Sequence, residues 1–410
     1  VTQKTSPGVI VFALWLLVFS SASQIMIISP ILPRIGEELM ISDAVLGTLI
    51  SAYAAMVGVF AIISGPISDR IGRRQILLWG TGVMTVALVL HMFVVDYYSF
   101  LAVRVFAGVA GGILSGAAVS YVGDYFPYNR RGWATGWIMS GSAFGQIIGI
   151  PLGIVLAGEF GFKAPFWVFA ITMAGAFLLI LAKVPQPDVS LSKERVTVGG
   201  AFRNYMAMLR RPEIAWASFA FFMMFLGVSL YVVYLPTWLE RDLGAAPNAI
   251  AVLFFVGGIA NVLSGPQAGK LSDRIGRKGI ILASCVGLFV VMSLTTVVVT
   301  DFWIAYPMFF MAMVLVAMRI SPFSALLTAL VDGERRGSLM SLSVALGQVG
   351  FAVGAGLAGW LYDSTGYWSN TVLGAFSVLA MGIIVWTALP EPKGDLGSPV
   401  GPDPAPAGEV

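Results

Sequence analysis

Two arginines, Arg104 and Arg319, stand inside long apolar runs of the chain. A guanidinium stays charged at every physiological pH. Placing one at the centre of an apolar membrane segment costs about 2.5 kcal/mol or more, so such a residue faces an interior or a solute rather than lipid. Arg319 is followed by Pro322, and the alternative to solute binding is that it caps carbonyls freed by that proline. Arg104 lies about two turns into its run, where the alternative is a long side chain snorkelling to the interface. Gln24, Tyr53, Gln146, Tyr231, Tyr234, Asn261 and Gln348 are the remaining polar residues singled out in apolar runs. Each can hydrogen-bond a solute or, equally, another helix. The 21 Asp and Glu residues fall at run ends or outside the runs. A site built from these runs is therefore neutral to positive and suits a neutral or anionic solute. The chain has one cysteine and one histidine, too few for a thiolate or His/Cys metal centre. Cys285 reads as buried packing and His91 as an interfacial side chain. With no Ser/His/Asp set and no paired carboxylates inside the runs, no enzyme, metal or cofactor is expected.

The elements that must hold these residues follow from composition. Apolar residues make up 58% of the 410 and charged residues 11%, against roughly 25% charged in soluble domains. Apolar runs fall at 8–33, 44–67, 75–95, 98–125, 132–157, 165–184, 214–238, 249–272, 279–300, 303–331, 338–361 and 367–389. Each is long enough for a span of about 20 residues, none alternates as a barrel strand would, and helices satisfy their own backbone in lipid. Numbered in order, they are spans 1–12. Basic residues are unevenly shared: 19 lie in segments on one side, three on the other (Arg34, Lys163 and Arg241), and Arg104 and Arg319 lie within spans. The positive-inside rule puts both termini and the basic segments in the cytoplasm. The small net charge of +3, with basic residues scattered, argues against nucleic-acid binding.

The chain repeats itself. Gly65–Arg74 (GPISDRIGRR) matches Gly269–Lys278 (GKLSDRIGRK) at an offset of 204, Arg130-Arg131-Gly132 matches Arg335-Arg336-Gly337 at 205, and Leu32-Pro33 matches Leu235-Pro236 at 203. Gly145-Gln146 matches Gly347-Gln348 at 202. A near-constant offset implies two parallel six-helix repeats with a site near the membrane midplane between them. The expected units are 1–184, a cytoplasmic linker at 185–212 with a short amphipathic helix around Ala201–Leu209, 213–390, and a Pro- and Gly-rich disordered tail at 391–410.

At the loop after span 2 the chain resembles the major facilitator superfamily, over essentially its whole length up to the tail. The family signature G-x-L-x-D-R-x-G-R-[KR] occurs as Gly65–Arg74, with Ile67 in place of Leu, and again as Gly269–Lys278. The resemblance implies an all-α membrane protein: twelve transmembrane helices in two pseudo-symmetric six-helix bundles around a central cavity. It also implies a gating role for Gly65, Asp69, Arg70, Gly72 and Arg73, with Asp124 completing the network, and for Asp273 and Arg277 in the second copy. Arg104, followed by Gly108, Gly111 and Gly112, is similar to an arginine that family members link to proton transfer. Ser29-Pro30-Ile31-Leu32-Pro33 and Gly149-Ile150-Pro151-Leu152-Gly153 resemble the sugar- and drug-efflux branch, although small-residue packing explains the glycines equally well.

The expected function is secondary active transport of a small organic solute by alternating access, as proton-coupled efflux of a drug, sugar or amphipathic metabolite. One alternative is uptake or facilitated diffusion of an organic anion anchored by Arg319; another, from a different class, is a receptor that does not transport. The expected partners are the solute, protons and the bilayer, with the chain a monomer in a prokaryotic inner membrane.

Overall fold

The computed structural model describes residues 6–188, 198–328, 330 and 336–390. The Asp69 and Asp273 side chains, the surroundings of Gly65, and the tail 391–410 lie outside the described part. Among the described residues, twelve helices are long and apolar enough to cross a membrane: Pro7–Met26, Asp43–Ser64, Arg73–Phe93, Tyr97–Tyr125, Arg130–Phe160, Ala164–Lys183, Pro212–Arg241, Pro247–Ser272, Arg277–Val298, Phe302–Leu327, Leu339–Thr365 and Tyr367–Ala388. They correspond one to one with the twelve runs, and the helix Val198–Leu209 lies in the linker. Spans 1–6 form one bundle and spans 7–12 the other, as the repeat requires. Along spans 2 and 11, and again along spans 5 and 8, the two bundles meet.

Several spans are broken where the sequence carries proline or glycine. Span 1 gives way at Ile27 to a second helix, Ile28–Leu39, which carries Pro30 and Pro33. Its repeat counterpart, span 7, breaks at Val233–Tyr234 before Leu235–Arg241, which opens on Pro236. Both breaks sit at the same end of the molecule because the repeat places them at corresponding positions, and the prolines there lack the N–H that would continue the helical ladder. Span 4 breaks at Ser115-Gly116, where Gly116 takes φ +73°. The offset of 205 carries Gly116 onto Ser321 in span 10, one residue before Pro322. Span 5 holds one turn of π-helix, Gly145–Gly149, a local widening that often marks functional sites.

The two signature loops share one backbone. Gly72 and Gly276 both adopt φ +99°, a left-handed region that side chains resist and glycine enters freely, so each loop reverses within one residue between two long helices. Span 4 starts on a capping box in which Asp96 accepts from Ser99 N at 2.8 Å. That bond and the Ser99 hydroxyl hold the Asp96 carboxyl below its usual range. His91 is buried rather than interfacial: its ring stacks on Phe166 at 4.0 Å and meets Phe100 edge-on, and Nδ1 lies 2.8 Å from the Ala87 carbonyl. The stacked and edge-on aromatic contacts hold the ring in the bundle interior.

Candidate functional site

A cavity of about 610 Å³ lies between the two bundles, within the range of small-molecule sites. Its wall draws on spans 1, 2, 4 and 5 of the first bundle and 7, 8, 10 and 11 of the second. Most of the wall is Ile, Leu, Val, Met and Phe. Three carboxamides break this surface: Gln146, Asn261 and Gln348. Four hydroxyls from Ser21, Ser29, Ser115 and Ser142, and the Tyr53 side chain, add further polar points. Among the described residues, no Asp, Glu, Lys, Arg or His lines it.

The two repeat-related glutamines sit at the two seams. A Cβ added at Gly58 of span 2 would meet the Gln348 Cβ at 3.4 Å, and one added at Gly258 of span 8 would meet the Gln146 Cβ at 3.5 Å. Glycine on the facing helix lets each pair of spans approach closely while the glutamine amide is left for the cavity. Gln146 also falls within the π-helical turn of span 5.

Tyr53 has a supporting network behind it. Gln24 donates from Nε2 to the Tyr53 hydroxyl at 3.0 Å and accepts from Arg104 Nη1 at 3.3 Å. Arg104 also donates from Nε to the Leu49 carbonyl at 3.3 Å, and its guanidinium carbon lies 4.4 Å from the Tyr53 ring centroid. Arg104 is 1% exposed and Gln24 fully buried. Arg104 therefore faces the bundle interior instead of snorkelling, and Gln24 contributes through Tyr53 rather than at the cavity surface. Desolvation of the guanidinium is offset by two acceptors and a ring face.

Tyr231, Tyr234 and Arg319 lie off the cavity wall. Tyr231 shares a hydrogen bond with Thr295 at 3.2 Å, and its carbonyl accepts from the Tyr367 hydroxyl. Tyr234 joins the bundles: its hydroxyl donates to the Asp43 carbonyl at 2.5 Å and accepts from Gly47 N at 2.9 Å. Around it, Arg241 pairs with Asp43, Arg34 lies 3.9 Å from Glu240, and Ser29 donates to the Val232 and Val233 carbonyls at 2.9 Å. These bonds seal the end of the cavity where spans 1 and 7 break. The wall formed by Ser115, Val119, Met139 and Ile320 runs instead toward the end bearing the Gly72 and Gly276 loops. Arg319 is fully buried, and its Nε, Nη1 and Nη2 have no hydrogen-bond partner among the described residues.

At the basic end, Arg73 Nε lies 2.6 Å from Asp124 Oδ2 and Arg73 Nη1 donates to Ser68 Oγ at 2.9 Å. This ties the loop after span 2 to the end of span 4. Arg70 is exposed. In the second copy Arg277 Nη1 donates to the Ala325 carbonyl of span 10 at 3.1 Å.

Sequence reasoning missed the cavity serines and Phe225 of span 7, which lines the cavity with Phe254, Phe309 and Phe351. The break at Ser115-Gly116 was the available signal, since an interrupted helix in the membrane lines a cavity.

Twelve helices, two repeats and a cavity between them define a solute carrier. The Major Facilitator Superfamily profile matches residues 14–241 and 217–409, and the chain belongs to this family of transporters. It is 25% identical over 368 residues to the MFS-type transporter YceJ of Bacillus subtilis, across 86% of this chain and 90% of the relative. It is likewise 25% identical over 391 residues to the multidrug resistance protein MdtG of Proteus mirabilis, across 93% of this chain and 96% of that one. The crystal structure of a D-xylose-proton symporter superposes with a TM-score of 0.78 at 17% identity, covering 94% of this chain and 98% of that one, which is a likeness of fold.

Proposed function

We propose that this transporter exports an amphipathic organic solute from the cytoplasm in exchange for protons. The observation that carries the reading is the cavity wall: apolar and aromatic side chains with a few carboxamides and hydroxyls, and no ionisable group among those described other than Tyr53. A wall of this kind gains from burying apolar solute surface and orients the solute through a few polar contacts. A sugar, polar on every face, would leave many of its hydroxyls unmatched here. Likeness to MdtG, named for multidrug resistance, favours the same solute class.

The basic segments are assigned to the cytoplasm of a prokaryotic cell, with both termini inside. In that orientation the clamp around Tyr234 closes the outer end and the cavity faces inward, the state in which an exporter loads. With no carboxylate among the described residues of the wall, the exchanging proton is assigned to an acid outside it. We assign the role to Asp124, which is bridged to Arg73 beside the loop after span 2. Receptor function without transport is disfavoured by the family.

The test is flux in proteoliposomes loaded with an apolar fluorescent solute. Extrusion accelerated by an imposed proton gradient, and slowed several-fold by Asp124→Asn, is the expected result. Flux equal to that of protein-free liposomes would overturn the reading.

A further inference from the structure

We propose that the solute is an organic anion and that Arg319 is the partner of its acidic group; the inference rests on the cavity being the transport site. Arg319 is fully buried, and none of its guanidinium nitrogens has a hydrogen-bond partner among the described residues. A guanidinium carries five N–H donors and does not deprotonate in proteins. A charge of this kind left bare in a low-dielectric interior is strongly unfavourable, so it is kept where a partner arrives during the working cycle. Its ionisable neighbour is the buried thiol of Cys285 on span 9, a weak partner for a cation. Proline relief does not use it here: Pro322 frees carbonyls one turn before it, and no carbonyl accepts from the Arg319 nitrogens.

Arg104 shows the contrast. Equally buried, it has the Leu49 carbonyl, the Gln24 amide oxygen and the Tyr53 ring. One bundle satisfies its guanidinium internally; the other does not. Arg319 also has no counterpart in the repeat, where the offset of 205 reaches Leu114, so the fold itself does not require it.

Position connects the charge to the cavity. Met313, Val316 and Ile320 of span 10 line the wall. At about 100° per residue, Arg319 lies roughly a quarter-turn from that face. A side chain of this length spans such an offset by changing rotamer, as arginines do when they snorkel. Two buried guanidiniums flank the cavity, one in each bundle, and no described carboxylate lines it. The resulting field repels cations and concentrates anions. A carboxylate or sulfonate, each offering two oxygens to a guanidinium fork, on an apolar scaffold matches both Arg319 and the aromatic wall.

Binding, rather than flux, tests this apart from the transport reading. The probes are three forms of one scaffold: 4-phenylbutanoate, 4-phenylbutanamide and 4-phenylbutylammonium. They are measured by calorimetry and thermal shift on purified full-length protein in nanodiscs, in sulfate-free and chloride-varied buffer. The anion is expected to bind at least tenfold tighter than the amide, and the ammonium weakest. Arg319→Gln should abolish the preference for anion over amide, while Arg319→Lys retains most of it. A merely structural arginine would change melting temperature without changing this ratio. Equal binding of anion and amide to the wild type, or an unchanged ratio in Arg319→Gln, overturns the proposal. So does stabilisation by chloride alone that matches the anionic probe, which would make Arg319 a halide site. Binding of the amide alone leaves the cavity standing and removes the anion; no binding by any probe removes both.

Discussion

At the scale of single residues, Tyr53 is held from behind and presented to the cavity. Its hydroxyl accepts from Gln24, and its ring covers the Arg104 guanidinium. Removing the hydroxyl strands a buried amide donor, a loss of about 1–3 kcal/mol. Tyr53→Phe should therefore lower the unfolding transition of the purified protein and slow solute flux, while keeping the ring over Arg104. Gln24→Leu should be worse on both counts, because it also takes the carboxamide oxygen from Arg104. Thermal unfolding followed with flux on the same preparations checks the order. Equal melting of Tyr53→Phe and the wild type would show that the Gln24 bond carries no stability. The residue types in this network were legible in the sequence, since a polar side chain in an apolar run needs a partner. Which of them faced the solute was not legible. Gln24, Tyr53 and Arg104 are separated by 29 and 80 positions, and their meeting depends on how spans 1, 2 and 4 pack.

At the scale of elements, the repeat and the run lengths announced twelve spans, and helical structure in lipid followed from backbone satisfaction alone. The breaks were only partly legible: proline flagged spans 1 and 7, but the two breaks acquire meaning only when they face each other and bring Tyr234 onto the start of span 2. Tyr234 stood among the solute-binding candidates because aromatic hydroxyls in spans look alike in sequence. Its neighbours are backbone groups of Asp43 and Gly47, and a Cβ added at Gly359 would lie 2.6 Å from its hydroxyl and 2.7 Å from the Ala44 carbonyl. Such spacing admits glycine alone, so spans 2 and 11 close on each other like a hinge leaf. Tyr234→Phe removes two hydrogen bonds across the bundles, together about 1–3 kcal/mol, and should shift the population toward an open outer end by roughly tenfold. Thr237 is fully buried in the same segment with an unpartnered hydroxyl, so Thr237→Cys reports on opening with little disturbance. Its labelling by a membrane-impermeant maleimide should rise several-fold in the Tyr234→Phe background, with buried Cys285 silent in both. Unchanged labelling would place the closing energy elsewhere in the seam.

At the scale of the whole molecule, one asymmetry of the sequence bears on which solution each end of the cavity meets. In the sequence, nineteen basic residues belong to the segments that alternate with the spans on the side of the Gly72 and Gly276 turns, and three to the segments on the other side. Translocating a basic loop is opposed during insertion, which is the ground on which we propose a cytoplasmic basic side. Exposed tryptophans, including Trp79, Trp133 and Trp386 toward one end and Trp303, Trp360 and Trp368 toward the other, mark the two lipid interfaces without distinguishing them. Single cysteines do distinguish them. Val95 is 76% exposed in the segment between spans 3 and 4, and Arg210 is exposed in the linker. In intact cells an impermeant maleimide should label Val95→Cys and leave Arg210→Cys untouched until the membrane is permeabilised. That outcome makes the clamp an outer gate and the observed cavity a loading state for export. The reverse outcome would turn the same cavity into one that faces the exterior, and the same wall would then belong to a carrier poised for uptake.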